Sequence, residues 1–150
     1  SNFVVETGVF VDKENTENLQ GNFLYGLGVQ VTEGQFYAFL VSAKDQNWQV
    51  VNGTMNEGAV IGNSSDLTVI KSGTDRSIHG AADEHEDRLT VIANGTEFMY
   101  YVNGNLVHVL TVEDHQKANV GFIVETLDDV TRVHIHFNWL KLLNIDPFDN

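Results

Sequence analysis

The chain has 150 residues, enough for one domain with a buried core, and 42% of them are hydrophobic, as in a folded globular protein. Its 21 acidic and 8 basic residues give a formal charge of −13, which disfavours nucleic acid and anionic membranes as partners and attracts cations. There is no cysteine, so disulfides, thiol catalysis and zinc–thiolate sites are excluded, and no apolar run approaches the roughly 20 residues of a membrane-spanning helix.

The first 61 residues predict a meander of about five short strands, because apolar runs alternate with turn signals. Residues 12–21 are polar and predict a surface loop, and Asn52-Gly53 predicts the last turn of this meander. Gly26 and Gly28 lie two apart, hence on one face of a strand, where they permit close approach of another group. The predicted strands are residues 3–11, 23–31, 35–43, 48–51 and 54–61.

Residues 62–86 are the least regular part of the chain and are rich in Gly, Ser, Asp and His. Within them, residues 67–70 predict either a short strand or one helical turn. We expect this segment to cross from one sheet to the other. Long connections in compact domains often carry function.

Residues 87–111 predict three strands joined by two tight turns, Asn94-Gly95 and Asn103-Gly104. If each Asn-Gly pair is a two-residue loop, the pairing follows and one face of the meander is almost wholly apolar. That face must pack against a second sheet. The predicted cross-strand neighbours are Val91 with Phe98, Leu89 with Tyr100, Tyr100 with Val107 and Phe98 with Val109.

Two further strands are predicted at residues 119–126 and 132–138, and residues 139–143 extend the last one. No segment has a helical period of useful length. The sequence therefore predicts an all-β fold, a two-sheet antiparallel β-sandwich, as one domain over residues 1–144. Residues 145–150 are interpreted as an exit tail or linker.

Six short motifs recur together in one group of proteins: YGLG at 25–28, FYAF at 36–39, RLTVIANG at 88–95, YVNG at 101–104, VGF at 120–122 and VHIHFN at 133–138. Through them the chain resembles bacterial jelly-roll domains of the concanavalin A-like lectin/glucanase class, above all the 3-keto-disaccharide hydrolase (laminin-G-like) domain. The resemblance implies a two-sheet sandwich, extracellular or on a cell surface, commonly attached to other modules and often binding carbohydrate. These motifs bear the fold, and no catalytic pair can be matched through them.

Glycosidases of this class hold carboxylates on one strand face, and retaining hydrolysis needs two carboxyl groups about 5–5.5 Å apart. The only dense acidic cluster is at residues 83–87, where Glu84 and Glu86 have the two-residue spacing of a strand face. The cluster has no aromatic neighbour in sequence, and a solvated loop explains it as well. We therefore assign no catalytic residue.

His134 and His136 lie two apart in a predicted strand and so share a face, where His108 on a neighbouring strand could join them in a metal site. Plain alternation of core and outward residues gives the same pattern without a metal. Calcium is the other ion that an acidic sandwich favours, with oxygen ligands from Asp and Asn. Its candidates are Asp128-Asp129, Asp12 with Asn15, and the acidic cluster; no cofactor is assigned.

Sugars are recognised through aromatic faces and planar hydrogen-bonding side chains. The aromatic candidates are Tyr25, Tyr37, Trp48, Tyr101 and Trp139. We predict a ligand site on the mixed face of the sheets or in the loops at one end. The residues assigned to it are Tyr37, Trp48, Arg88, Tyr101, His134 and His136.

The sequence thus favours a non-catalytic recognition module that binds carbohydrate or another surface ligand, as part of a larger extracellular protein. Two alternatives stay open. One is a protein-interaction or spacer module, and the other is a glycoside hydrolase acting on a sugar or modified disaccharide.

Overall fold

A computed structural model describes residues 2–54, 67–113, 115, 118–127 and 132–145 of the chain. Ten strands account for most of these residues, and none of them is helical. The described part accordingly holds no helix that could cross a bilayer. The strands are β1 (Asn2–Val11), β2 (Phe23–Thr32), β3 (Gln35–Ser42), β4 (Asn47–Thr54), β5 (Thr68–Thr74), β6 (Asp87–Asn94), β7 (Glu97–Val102), β8 (Asn105–Thr111), β9 (Asn119–Thr126) and β10 (Ile135–Asn144).

The strands form two five-stranded sheets, and every pairing between described strands is antiparallel. Sheet A has the order β10-β1-β6-β7-β8, and sheet B has the order β5-β4-β3-β2-β9. The two sheets enclose one large apolar core, so the predicted all-β sandwich is confirmed. The aromatic members of this core pack edge-to-face across it, as Phe39 does on Tyr100 and Tyr37 on Phe98.

The predicted meander over the first 61 residues is wrong at both ends. Strand β1 does not pair with β2 but lies in sheet A between β10 and β6, so the meander begins at β2. The expected turn at Asn52-Gly53 is absent, because β4 continues through both residues to Thr54. Gly53 is needed there for packing, since a Cβ on it would lie 2.5 Å from the Phe36 ring and 2.7 Å from Leu67. The strand expected at 54–61 lies outside the described residues beyond Thr54.

The irregular connection contains a strand, β5, which pairs with β4 at the edge of sheet B. This confirms the strand interpretation of residues 67–70 over the helical turn. The next strand, β6, belongs to sheet A, so the segment crosses between sheets as expected. The crossing is tied down by Asp75, whose carboxylate accepts hydrogen bonds from the Ser77 amide and hydroxyl.

The three-stranded meander at 87–111 is confirmed as β6, β7 and β8, but the pairing differs from the predicted one in both hairpins. In the first, Asn94 pairs with Glu97, so the loop is Gly95-Thr96 and Val91 lies opposite Tyr100 instead of Phe98. Only Gly95 has positive φ there, as a type II′ turn requires at its first central position. The predicted loop, Asn94-Gly95, was therefore placed one residue too early in the chain.

The second hairpin has the predicted loop, with positive φ at both Asn103 and Gly104. A β-bulge between Tyr100 and Tyr101 then shifts the register by one residue, so Tyr100 pairs with His108. The shift turns Leu110 towards the core and leaves Val109 exposed. His108 is brought inward as well, and its ring stacks beside Tyr100 and Trp48.

The two sheets differ in what their outer faces present. Sheet B carries a second buried apolar cluster on the side away from the main core, formed by Leu24, Phe36, Ala38, Leu40 and Val51. Gly26 lies in the same sheet, and a Cβ on it would lie 1.9 Å from the Phe39 carbonyl oxygen, so the predicted close approach is a strand–strand contact. Sheet A has polar and charged side chains on its outer face, which leaves that face as the accessible one.

Candidate functional site

The outer face of sheet A collects polar side chains from four adjacent strands, β7, β6, β1 and β10. Register places Thr90 opposite Glu6, and Glu6 opposite Lys141. In the next row Arg88 lies opposite Gly8, and Gly8 opposite Trp139. We call this surface the polar face. Its residues are Glu6, Phe10, Asp12, Glu86, Arg88, Thr90, Tyr101, His134, His136, Asn138, Trp139 and Lys141.

Glu6 is the centre of the hydrogen bonding on this face. Its Oε2 accepts a 2.7 Å hydrogen bond from the Thr90 hydroxyl and lies 3.9 Å from Arg88 Nε. The Arg88 guanidinium is half exposed and extends towards Gly104 in the β7–β8 turn, whose missing side chain leaves room for it. A carboxylate and a guanidinium are thus held side by side, each with donors or acceptors still open to solvent.

Gly8 makes a gap in the polar face that larger neighbours fill. A Cβ on Gly8 would lie 1.7 Å from Glu86 Oε1 and 2.5 Å from the indole nitrogen of Trp139. The gap therefore lets a carboxylate and an indole approach each other over bare backbone. Asn138 Nδ2 lies 3.4 Å from the same Glu86 oxygen.

Trp139 owes its position to an irregularity in β10. Gly8 pairs with Trp139 and Val9 with Phe137, so Asn138 is an extra residue in the β10 strand. The Thr7 hydroxyl donates a 2.7 Å hydrogen bond to the Trp139 carbonyl and fixes the strand at this point. The Trp139 side chain remains 36% exposed.

A shallow cavity of about 610 Å³ opens beside this indole. Acidic, basic and aromatic groups meet around it, with aliphatic side chains of the edge strand on one side. Its lining residues are Glu6, Arg88, Trp139, Leu140, Lys141 and Leu142.

Asp12, His134 and His136 form a cluster at the end of the polar face. Asp12 Oδ2 lies 3.1 Å from His136 Nε2 and 3.4 Å from His134 Nδ1. The two imidazoles stack at 4.6 Å, and the Phe10 ring stacks on His136 at 4.8 Å. Hydrogen bonds from Asn15 and His136 hold the pKa of Asp12 at about 2, so the carboxylate is ionised.

A second, polar cavity of about 620 Å³ lies at one end of the sandwich. Beneath it the buried carboxylate of Asp87 lies 2.7 Å from His79 Nδ1 and accepts a 2.9 Å hydrogen bond from Asn103 Nδ2. It also accepts from the His79 backbone amide. With these partners Asp87 links the crossing segment, β6 and the β7–β8 turn to one another, so its role is structural.

The structure separates the residues that the sequence assigned to a ligand site. Arg88, Tyr101, His134 and His136 all belong to the polar face. Tyr37 and Trp48 do not: they are 8% and 5% exposed and belong to the core, which corrects their assignment. They are buried because alternation in β3 and β4 directs both rings towards sheet A.

The predicted groupings of charged residues also change. His108 is partly buried beside Trp48 on β8, at the opposite edge of sheet A from β10, so it cannot join His134 and His136, and Asp12 takes the third place instead. Asp12 and Asn15, named as calcium candidates, are joined by a 2.7 Å hydrogen bond that Asn15 Nδ2 donates to the Asp12 carboxylate. Glu84 and Glu86 engage different partners, Glu84 accepting from the Lys13 amide. Asp128-Asp129 lies outside the described residues.

Sequence reasoning missed Glu6 and placed Trp139 only among general aromatic candidates. Glu6 becomes part of the site because β1 lies between β6 and β10, which no local pattern in the first strand reveals. The one usable signal is Gly8, a glycine inside an apolar strand, which marks a close approach by another group.

The fold and its strand order define the class of protein by architecture: an antiparallel two-sheet β-sandwich of jelly-roll type. No protein-family model matches the chain, and no curated protein matches it in sequence.

Solved structures are similar to it in fold. The carbohydrate-binding module CBM66 from Bacillus subtilis has a TM-score of 0.57 at 16% identity, covering 91% of this chain and 73% of its own. A β-glucanase from Bacillus licheniformis has a TM-score of 0.57 at 14% identity, and the match covers 93% of this chain and 64% of the glucanase chain. A mixed linkage glucan GH16 protein from Bacteroides ovatus has a TM-score of 0.61 at 9% identity, and the match covers 94% of this chain and 69% of the GH16 chain.

Proposed function

We propose that this domain is a non-catalytic recognition module that binds carbohydrate on the polar face of sheet A. The observation that carries the proposal is the partly exposed Trp139 indole beside a shallow cavity, with Glu6, Arg88 and Lys141 around it. An aromatic ring covers the apolar side of a pyranose, while planar charged groups bind its hydroxyls. An isolated exposed aromatic side chain would lack these surrounding charged groups.

The chemistry of the ring of polar groups matches hydroxyl recognition. Glu6 and Glu86 supply acceptors, Arg88 and Lys141 supply donors, and a sugar hydroxyl can both donate and accept. Hydrogen bonds to charged groups are worth about 1.5–3 kcal/mol each, so a few of them with one stacking contact give measurable affinity. The open, shallow shape of the cavity suits a chain or a terminal sugar.

The descriptions of the proteins with similar folds support this proposal. One is a carbohydrate-binding module, and two are a β-glucanase and a GH16 protein in complex with a glucan product. We further propose that the domain acts outside the cell or at its surface as one module of a larger bacterial protein. Membership in the 3-keto-disaccharide hydrolase (laminin-G-like) family rests on the sequence motifs and belongs to the same proposal.

A second candidate function, protein interaction, is favoured by an apolar strip on the edge strands β9 and β10. Phe122, Val124, Leu140 and Leu142 are each 45–52% exposed there. Apolar side chains that gather on one edge mark interaction surfaces more often than scattered ones do. This function predicts self-association or capture of a protein partner with no dependence on Trp139.

The hydrolase alternative is favoured by one observation, the presence of Glu6 and Glu86 on the same face. A retaining mechanism would need both carboxylates at one glycosidic bond. Replacing Glu86 by Gln keeps the side chain's shape and would abolish hydrolysis while leaving the domain folded. Turnover of a bound oligosaccharide by the wild-type protein that Glu86→Gln removes would replace the recognition proposal with this one.

The experiment is a glycan array probed with wild-type protein, Trp139→Ala and Phe122→Ala. The two variants each remove one exposed aromatic from an edge strand, but only Trp139 belongs to the polar face. We expect specific glycan signals from wild type and Phe122→Ala and a loss of at least 10-fold with Trp139→Ala. A blank array with wild type, or equal signals from both variants, would overturn the proposed site.

A further inference from the structure

We propose that Asp12, His134 and His136 bind a divalent transition-metal ion of the zinc type. Their ligand atoms, one carboxylate oxygen and two imidazole nitrogens, all lie within 4.8 Å of one another. In the part of the chain that the structure describes, this is the one group of three such residues that meets. The inference is independent of carbohydrate binding.

The spacing of the ligand atoms suits a small ion. Two ligands at about 2.0–2.1 Å from a tetrahedral zinc lie roughly 3.3 Å from each other. Asp12 Oδ2 lies 3.1 Å from His136 Nε2 and 3.4 Å from His134 Nδ1, so both carboxylate–imidazole pairs have that separation. The two imidazole nitrogens lie within 4.8 Å of each other and close in on the ion when it binds. An ion between the three atoms would replace the shared protons of these contacts.

The carboxylate is fixed before any ion arrives. Asp12 Oδ1 accepts hydrogen bonds from the backbone amides of Glu14 and Asn15, and Oδ2 accepts one from the Asn15 side chain. These bonds turn the chain directly after β1 and hold the Oδ2 atom towards the imidazoles. A ligand that is already oriented loses little entropy when the metal binds.

The imidazoles are held by the backbone and by stacking. The Asp12 amide donates to the His134 carbonyl at 2.9 Å, and the His134 amide donates to the Thr16 hydroxyl at 3.0 Å. Thr16 is buried, so the loop after β1 and the histidine segment are joined by a hydrogen bond that is shielded from solvent. Phe10 supports the His136 ring from below at an interplanar angle of 5°.

The donor set selects the class of ion. Imidazole nitrogen suits Zn²⁺, Cu²⁺, Ni²⁺ and Co²⁺, whereas Ca²⁺ and Mg²⁺ take oxygen ligands. Two nitrogens and one oxygen therefore favour zinc over calcium at this place. His134 is exposed, so a fourth position is open to water or to a ligand atom.

In the test, zinc alone is titrated into the metal-free full chain at pH 7.5, and binding is measured by isothermal titration calorimetry. We expect one equivalent of Zn²⁺ to bind and to raise the unfolding temperature. His134→Ala and His136→Ala should each weaken binding at least 10-fold. The matched control is His85→Ala, because His85 also contacts a carboxylate, Asp83, on an exposed loop, and no other imidazole among the described residues is paired with that oxygen.

Two further measurements keep the test independent of folding. Asp12→Asn retains an oxygen acceptor for the loop amides while removing the charge, and it should weaken Zn²⁺ binding with the domain still folded. Co²⁺ in place of Zn²⁺ should give the visible absorption of a four- or five-coordinate ion, which His134→Ala abolishes. No heat and no absorption with wild type, or unchanged binding by both histidine variants, would overturn the proposal.

Discussion

Replacing Gly8 by Ala should disable the polar face while leaving the fold intact. The new Cβ would lie 1.7 Å from Glu86 Oε1 and 2.5 Å from Trp139 Nε1, whereas real Cβ contacts stay above 3.0 Å. The Glu86 carboxylate must therefore move by about 1.3 Å, and the indole by about 0.5 Å. Both groups have solvent to move into, so the displacement is possible without opening the core.

The expected magnitude follows from the hydrogen bond between the Glu86 carboxylate and a sugar hydroxyl, which the displacement would break in the proposed complex. An O–H···O hydrogen bond stretched by more than about 1 Å exceeds the upper limit of about 3.0 Å for such contacts. Losing one hydrogen bond to a charged group costs about 1.5–3 kcal/mol, which is roughly 10- to 150-fold in Kd. The free energy of unfolding should change by less than about 1 kcal/mol, because Ala in a strand is entropically better than Gly and this offsets the side-chain rearrangement.

The matched control is Gly121→Ala, which makes the same substitution inside β9, where a Cβ has no neighbour within 4 Å. The assay is calorimetric titration with the glycan that the array selects, together with thermal unfolding and Trp fluorescence. Gly8→Ala should bind at least 10-fold more weakly and shift emission to the red, with Gly121→Ala like wild type. Unchanged affinity of Gly8→Ala, or a loss of stability above about 2 kcal/mol, would refute the reasoning.

Three other predictions concern stability. Burial, and then the charge of Lys71, lowers the pKa of His108 below 6.5 in the folded state. The unfolded state therefore binds more protons, and stability is lost as the pH falls from 6.5 through the folded pKa. In urea unfolding at several pH values, the free energy of unfolding of His108→Gln should depend less steeply on pH than that of wild type, and an equal slope would contradict this. No described residue hydrogen-bonds the buried Tyr100 hydroxyl, so Tyr100→Phe should cost nothing and gain up to about 1 kcal/mol in urea unfolding, where a clear loss would reveal a missed partner. Gly26→Ala places a Cβ 1.9 Å from the Phe39 carbonyl oxygen and should lower the free energy of unfolding by at least about 2 kcal/mol, whereas a drop below 1 kcal/mol would mean that the strands separate easily.

Local patterns predicted the elements of this fold better than their partners. Alternation and turn chemistry located strands such as β9, whose predicted bounds match those of the structure. The position of β1 in sheet A was not predictable, because its partners β6 and β10 lie about 80 and 130 residues further along the chain. Pairing at that distance is decided by packing between sheets and leaves little trace in a single strand's sequence.

The same limit applied to the site. His134 and His136 were found because their spacing is local, and they share the polar face with Arg88 and Tyr101. The third member of their cluster, Asp12, was sought as a calcium ligand with Asn15, since the fold alone brings it to the imidazoles. The bulge between Tyr100 and Tyr101, which turns His108 inward, has no glycine or other marker in the sequence.

The placement of β1 between β6 and β10 has a consequence for the order of events during synthesis. The polar face joins Glu6 from the first strand to Trp139 from the last, so it cannot exist until the ribosome has released nearly the whole domain. Contacts over such separations form late and slowly in a folding chain. Ligand binding on this face, as proposed here, would therefore require complete folding. A chain that stops before β10 would expose β1 as an unpaired edge, open to association with other chains.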